Sequence, residues 1–151
     1  MKPAIVVPFD FSESAGRALE WAAALQKATG AGAIRMVHAI STRPLMDGEI
    51  TLPPYVPNDD EVAELERSML RAADHCQAVA SARVIVEGDE IKDIVLRAVQ
   101  DAGADLVVMG THGRSGLTRL FIGSVAEHLL RHAACPVVTI RDTPTTRRPA
   151  V

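Results

Sequence analysis

A group of glycines in the second half of the chain has the spacing of a phosphate-binding site. Gly110 and Gly113 lie three positions apart, nine residues separate Gly113 from Gly123, and Ser124 follows directly. Glycines let the backbone turn tightly and expose its amides, and a glycine at a helix start lets an anion approach the positive helix end. Main-chain amides of this kind hold phosphate without a lysine. The pattern therefore predicts a site for a phosphate-bearing nucleotide.

The polar side chains near these glycines have two interpretations each. Arg114 and Arg119 either neutralise phosphate charge or belong to a solvated basic loop. Ser124 and Glu127 have the spacing of a capping box, in which the serine hydroxyl caps the helix start. That role is compatible with orienting a phosphate that the helix amides bind. His112 is either a phosphate or metal contact or an ordinary loop residue.

Other binding and catalytic patterns are not evident in the sequence. The Gly-Lys-Ser/Thr of a Walker loop is missing, and Gly110, Gly113 and Gly116 follow the fourth apolar run rather than the first, unlike a dinucleotide fingerprint. His128 and His132 lie four residues apart, a spacing that suits zinc, but no third ligand is evident. No Ser-His-Asp or Cys-His arrangement stands out. We therefore predict no catalytic and no metal-ligating residue.

The composition indicates one domain with neither a nucleic-acid nor a membrane partner. A chain of 151 residues supports a single core, with roughly 70% of the unfolded surface buried. Sixteen basic and nineteen acidic residues give a net charge of −3, which lacks the positive field that nucleic acids require. The apolar run 5–7 is too short for a signal peptide or a membrane span. Cys76 and Cys135 form no metal or redox motif, so we expect free thiols and a cytoplasmic protein.

Five apolar runs alternate with helical patterns along the chain. The runs span residues 4–8, 33–39, 83–87, 105–109 and 136–140. Most are continuous stretches of Val, Ile and Leu, which is typical of strands that are buried on both faces of a sheet. The alternation predicts an α/β fold, an open five-stranded parallel sheet with helices on both faces.

Four helices are predicted between these strands. The first has Ser12 as its N-cap and Gly30 as its stop. The predicted helices cover about 12–29, 62–79 and 91–99, and a fourth begins at Ser124. The segment 41–60 is too rich in proline for a helix and is predicted as a loop, either without special role or forming a flap near the ligand. Residues 142–151 are predicted to be a disordered tail.

The ends of the predicted strands select further candidate residues. In an open parallel sheet, ligands bind beyond the carboxyl ends of the strands, where the strand order reverses. Asp10 follows the first strand, the segment 38–40 ends the second, and Met109 and Gly110 end the fourth. The Asp10 carboxylate either accepts hydrogen bonds from ribose hydroxyls or fixes the turn into the first helix, and Ser12 is first of all a helix cap.

Three segments together resemble one known family. Residues 6–12 read Val-Val-Pro-Phe-Asp-Phe-Ser, residues 110–126 carry the glycine pattern and end in Gly-Ser-Val-Ala, and residues 135–137 read Cys-Pro-Val. Their order and spacing resemble those of the universal stress proteins, in the branch that binds ATP through Gly-x2-Gly-x9-Gly-Ser/Thr. The resemblance covers about residues 2–141 and implies the sheet order 3-2-1-4-5.

The resemblance implies a role for each matching residue. Asp10 would hold the ribose, and the main chain at Pro8, Phe9 and Ala39 would flank the adenine. Either Val107 or Met109 would add apolar contact. The other implied contacts, around the phosphates, are Gly110, Gly113, Arg114, Gly123, Ser124 and Val125.

The resemblance also implies a cofactor, a partner and a function. The cofactor is ATP, with Mg²⁺, and the partner is a second copy that pairs through strand 136–140, which would otherwise be an exposed apolar edge. The expected domain spans 1–141, followed by the tail 142–151, and it binds ATP as a regulatory module of the stress response. Two alternatives stay open: a slow ATPase or phosphoryl or nucleotidyl transferase, and an interaction module without nucleotide.

Overall fold

The centre of the molecule is a sheet of five parallel strands. The structure, a computed structural model, describes residues 2–112 and 122–141. The strands of the sheet are β1 (Ile5–Pro8), β2 (Ile34–Ser41), β5 (Ala80–Glu87), β6 (Leu106–Gly110) and β7 (Val137–Ile140). Their spatial order is β5-β2-β1-β6-β7, with parallel pairing throughout. This confirms the predicted order 3-2-1-4-5, since β3 and β4 form a separate small sheet.

Helices cover both faces of the sheet, as the alternating pattern predicts. They are α1 (Glu13–Thr29), α2 (Asp59–His75), α3 (Ile91–Asp101) and α4 (Ser124–His132). Side chains of α1 and α2 share one apolar cluster with Ile5 and Val7, whereas α3 and α4 share the other with Val6 and Val107. Successive β1 residues thus alternate between two buried faces, which explains why the strands read as continuous apolar runs. None of the described helices is both long enough and apolar enough to cross a membrane.

The ends of α1 match the prediction, but the end of α2 does not. Ser12 caps α1 by accepting a hydrogen bond from the Ala15 amide at 3.1 Å, and Gly30 ends it with φ 66°. The prediction that α2 continues to Val79 is wrong. Its last helical residue is His75, and Gln77 then adopts a left-handed φ of 55°. Because glycine usually fills such a position, the sequence carries no visible stop signal there.

The segment 41–60 is not the plain loop that its prolines predict. It holds a hairpin of β3 (Leu45–Asp47) and β4 (Ile50–Leu52), with Gly48 at φ 62° in the connecting turn. The apolar side chains of this hairpin are exposed. Because the hairpin has no buried face, its sequence lacks the sustained alternation of apolar and polar residues that predicts a strand. The hairpin follows β2 at the carboxyl edge of the sheet.

The two outer edges of the sheet differ in their protection. At β5, the Glu66 side chain of α2 reaches the strand, and its Oε1 accepts a hydrogen bond from the Val84 amide at 3.1 Å. A charged side chain on an edge strand discourages pairing with another chain. β5 also begins three residues before the predicted run, because the main chain of Ala80–Ala82 continues the pairing with β2, although these small side chains do not extend the apolar run.

Candidate functional site

The candidate site lies where the strand order reverses, between β1 and β6. These strands pair in parallel, and the crossovers from their carboxyl ends lead to opposite sides of the sheet. Asp10 follows β1 and Gly110 ends β6, so the structure places both at the edge where open α/β sheets bind ligands. Ala39 lies in β2, beside β1.

The Asp10 side chain fixes the turn between β1 and α1. Its Oδ1 accepts a hydrogen bond from the Ser12 amide at 3.0 Å, an Asx turn that leads directly into the Ser12 cap. Of the two roles considered for Asp10, the turn role is therefore present in the protein itself. A role toward ribose is compatible, since a carboxylate has two oxygens that accept several hydrogen bonds.

Aromatic side chains support this turn from below. The Phe11 ring contacts Phe9 and His38 edge-to-face, with centroid distances of 5.2 and 5.0 Å. His38 Nδ1 lies 2.8 Å from the Phe9 carbonyl oxygen. The sequence predicted His38 near the end of the second strand but gave it no contact. A hydrogen bond between β2 and the residue after β1 joins segments that are far apart in sequence, so no local pattern predicts it.

The apolar part of the site lies on the face covered by α3 and α4. Ala39 and Met109 are buried there, and Val125 packs against the same cluster. The Phe9 side chain belongs to the cluster on the opposite face; the expected contact of its main chain with a base stays a prediction. Pro8 is half-buried at the end of β1.

Thr111 joins β6, β7 and the start of α4. Its amide donates to the Ile140 carbonyl at 3.1 Å, and its own carbonyl accepts from the Gly123 amide at 2.7 Å. The hydroxyl oxygen lies 2.8 Å from His112 Nδ1, and the residue is buried. Sequence reasoning assigned Thr111 no role, because main-chain groups make this junction and leave no signal in the residue type.

The start of α4 differs from the predicted capping box. The N-cap is Gly123, with an extended backbone, and Ser124 is already the first helical residue. No described side chain caps this helix, and Glu127 instead forms an ion pair with Arg131 at 2.8 Å. The prediction that Ser124 caps α4 is therefore wrong. Within the described residues, the first-turn amides at the positive end of the helix dipole therefore have no side-chain cap.

Gly110 has a packing role that the phosphate hypothesis did not include. A Cβ built on it would overlap the Ser14 hydroxyl and would lie 2.7 Å from Ser14 Cβ and 2.9 Å from the Ser14 carbonyl carbon. The absence of a side chain thus lets the first turn of α1 lie directly on the end of β6. Gly113, Arg114 and Arg119, the other loop residues of the prediction, lie outside the described residues.

Other groups considered in the sequence form separate features. The rings of His128 and His132 pack with centroids 4.6 Å apart, and His128 Nε2 lies 3.2 Å from Asp93 Oδ1. Within 2–112 and 122–141, no three His, Cys, Asp or Glu side chains are arranged to hold a metal. Partial burial raises the pKa of the Cys76 and Cys135 thiols, which disfavours the reactive thiolate.

A cavity of about 180 Å³ lies elsewhere, between β2, β5 and α3. Arg35, Ser81 and Arg83 line it together with Asp101 of α3, and none of the predicted site residues does. This cavity is therefore distinct from the candidate site at the carboxyl ends of β1 and β6.

The chain belongs to the universal stress protein family, whose model matches residues 1–141. Universal stress protein Rv2623 of Mycobacterium tuberculosis is 34% identical to this chain over 154 residues. The match covers 91% of this chain but only 47% of Rv2623, so the chain spans about half the length of that relative. A universal stress protein from Archaeoglobus fulgidus has a similar structure, with 25% identity, a TM-score of 0.67 and coverage of 93% of this chain and 99% of that one. A structure from the same organism in complex with dAMP shares the fold at 23% identity, with a TM-score of 0.64 and coverage of 93% and 98%.

The contact between Gly110 and Ser14 yields a testable prediction. Gly110→Ala should destabilise the protein by about 1–3 kcal/mol, because the added methyl group overpacks the junction of α1 and β6. Gly16→Ala is the matched control, since a Cβ there has no atom within 4 Å and should stabilise α1 by about 0.5–1 kcal/mol. Urea unfolding measures both changes. Equal stabilities of the two variants would show that α1 does not rest on Gly110.

Proposed function

We propose that this protein binds an adenine nucleotide at the carboxyl edge between β1 and β6, as a regulatory module of the stress response. The expected ligand is ATP with Mg²⁺. The observation that carries the proposal is the start of α4, which the Gly123–Thr111 hydrogen bond holds at the end of β6 with no described side chain as its cap. Asp10 lies after the neighbouring strand, β1.

The phosphates would lie at the start of α4. Because the Gly123 amide is already bonded to Thr111, the donors that the helix itself leaves available are the next three amides, those of Ser124, Val125 and Ala126. The Ser124 hydroxyl, which has no capping role, adds a further donor. On the sequence pattern, Gly113 contributes a loop amide and Arg114 a neutralising charge.

The adenosine would lie across the ends of β1 and β2. Asp10 accepts hydrogen bonds from ribose hydroxyls while its Oδ1 keeps the turn bond to Ser12. The main chain at Pro8, Phe9 and Ala39 flanks the base, and Met109 provides apolar contact. The Archaeoglobus fulgidus protein of the same fold that is in complex with dAMP supports an adenosine pocket.

The proposed homodimer forms through β7. The hydrogen bonds from the Val107 amide to the Pro136 carbonyl and from the Thr111 amide to the Ile140 carbonyl direct these carbonyls toward β6. Since main-chain groups alternate along a strand, Val137 and Thr139 direct theirs outward, where a second copy of β7 can pair with them. The opposite edge is less suitable, because Glu66 already occupies the Val84 amide.

Substitution of Asp10 tests the nucleotide site. Asp10→Ala should weaken ATP binding about 10- to 100-fold, the value of a charge-assisted hydrogen bond. Asp10→Asn should weaken it less, because the amide oxygen still accepts the Ser12 bond and one ribose hydroxyl. Calorimetric titration with ATP, AMP and adenosine gives the affinities, and we expect the order ATP, AMP, adenosine from tightest to weakest.

The matched control for this titration is Asp101→Asn, an exposed carboxylate at the end of α3. It removes the same charge far from the β1 turn and should leave the affinity unchanged. If wild-type protein shows no binding at millimolar ATP with magnesium present, the proposed function is wrong. Equal losses in Asp10→Asn and Asp101→Asn would mean that only the net charge matters.

A proline in β7 tests the homodimer. Thr139→Pro removes an amide that is directed away from β6, and proline is tolerated at such edge positions, so the folded monomer should remain while the dimer dissociates. Light scattering coupled to size exclusion measures the mass. Ala82→Pro is the matched control. Ala82 lies two residues before Val84, so its amide also points away from the sheet at the β5 edge. A wild-type monomer, or a Thr139→Pro dimer, would contradict this interface.

A further inference from the structure

Three aromatic rings form a small cluster directly beneath the Asp10 turn. Phe11 lies between Phe9 and His38, in edge-to-face contact with both, and the interplanar angle is 73° in each pair. Phe9 and Phe11 flank Asp10 in the sequence, whereas His38 comes from the neighbouring strand β2. The cluster therefore links the turn that carries Asp10 to a rigid part of the sheet.

Phe11 has a backbone conformation that needs external support. Its φ is 64°, in the left-handed region that bulky residues rarely adopt. Such a conformation persists only where the surrounding structure determines it. The two ring contacts of Phe11 stabilise this conformation. The hydrogen bond from the Ser12 amide to Asp10 Oδ1 spans the same residue.

His38 also makes a polar contact on the other side of Asp10. Its Nδ1 lies 2.8 Å from the Phe9 carbonyl oxygen. A carbonyl oxygen only accepts, so Nδ1 carries the proton and donates. One imidazole thus fixes the residue before Asp10 by a hydrogen bond and the residue after it by a ring contact.

A purely structural role would not require an imidazole here. Met36 and Ile40, which lie two positions before and after His38 on the same strand, pack into or against the apolar cluster on this face. A phenylalanine at position 38 would preserve the ring contact with Phe11, but it would leave the Phe9 carbonyl without this donor. The donor is thus the property that distinguishes His38 from its apolar neighbours.

We propose that His38 is a positioning residue that sets the conformation of the Phe9–Ser12 turn and thereby directs the Asp10 carboxylate toward the nucleotide. The inference rests on the proposed function for its consequence, ligand affinity. Its structural part, the effect of His38 on the turn, is measurable in protein without ligand. His38 itself touches no ligand in this proposal and acts through Phe9 and Phe11.

Two substitutions at position 38 separate the donor from the ring. His38→Phe keeps an aromatic ring and removes the donor, whereas His38→Asn removes the ring and keeps a donor near the Nδ1 position. NMR measures the exchange rate of the Ser12 amide proton, which is bonded to Asp10. In His38→Phe we expect the Ser12 amide proton to exchange about tenfold faster, which corresponds to the net contribution of one hydrogen bond. In His38→Asn we expect most of the protection of this proton to be restored.

The nucleotide arm uses the same variants and a double-mutant cycle. ATP affinity should fall about tenfold in His38→Phe and recover largely in His38→Asn. In an Asp10→Ala background, His38→Phe should have almost no further effect, because the side chain that it positions is gone. His75→Asn, at the exposed end of α2, is the control and should change neither measurement.

The outcomes distinguish this inference from the proposed function. Wild-type protein that does not bind ATP contradicts the proposed function, while the Ser12 exchange rates still decide whether His38 holds the turn. Additive effects of His38→Phe and Asp10→Ala would overturn the positioning role, as would an Nε2-protonated tautomer of His38 in ¹⁵N NMR spectra. If His38→Phe does not fold, the rescue of affinity and exchange in His38→Asn remains the deciding result.

Discussion

The hydrogen bond from the Gly123 amide to the Thr111 carbonyl is the contact on which the candidate site depends. At 2.7 Å it holds the start of α4 against the end of β6, and Thr111 is itself bonded to Ile140 of β7. The bond uses the N-cap amide and leaves the following amides directed along the helix axis. The positive end of α4 is thereby fixed at the point where the strand order reverses.

An end of a helix without a side-chain cap does not by itself define a binding site. α3 also lacks a side-chain cap, whereas α1 and α2 are capped by Ser12 and Asn58. Replacing such a cap by alanine costs a helix about 0.5–2 kcal/mol, and glycine at the N-cap of α4 avoids most of that loss. What distinguishes α4 is its position, at the end of β6 where the strand order reverses.

Packing links the two halves of the site. Because Gly110 has no Cβ, the first turn of α1 lies on the end of β6, and the turn that carries Asp10 precedes that helix directly. The Asp10 turn is held from the other side by Phe9, Phe11 and His38. The geometry of the described part of the candidate site thus comes from contacts between strand ends and helix starts.

The sequence predicted the sheet well because buried parallel strands are continuous apolar runs, and Ser12 and Gly30 are unambiguous helix signals. It failed where the deciding contact is distant in sequence. The end of α2 depends on a left-handed Gln77 rather than a glycine, and the exposed hairpin lacks a buried face. The predicted start of α4 at Ser124 is confirmed, but the N-cap is Gly123 rather than Ser124. The contact of Gly110 with Ser14 and the bond from His38 to Phe9 join separate elements and have no local sequence pattern.

NMR titration of the backbone amides with adenosine and then with ATP tests the central claim most directly. Adenosine and ATP should both shift the amides of Asp10 and Ala39, whereas only ATP should shift those of Ser124 and Val125, because only it brings phosphates to the start of α4. Unchanged Ser124 and Val125 amides in saturating ATP would contradict the account. So would shifts confined to the cavity lined by Arg35 and Arg83.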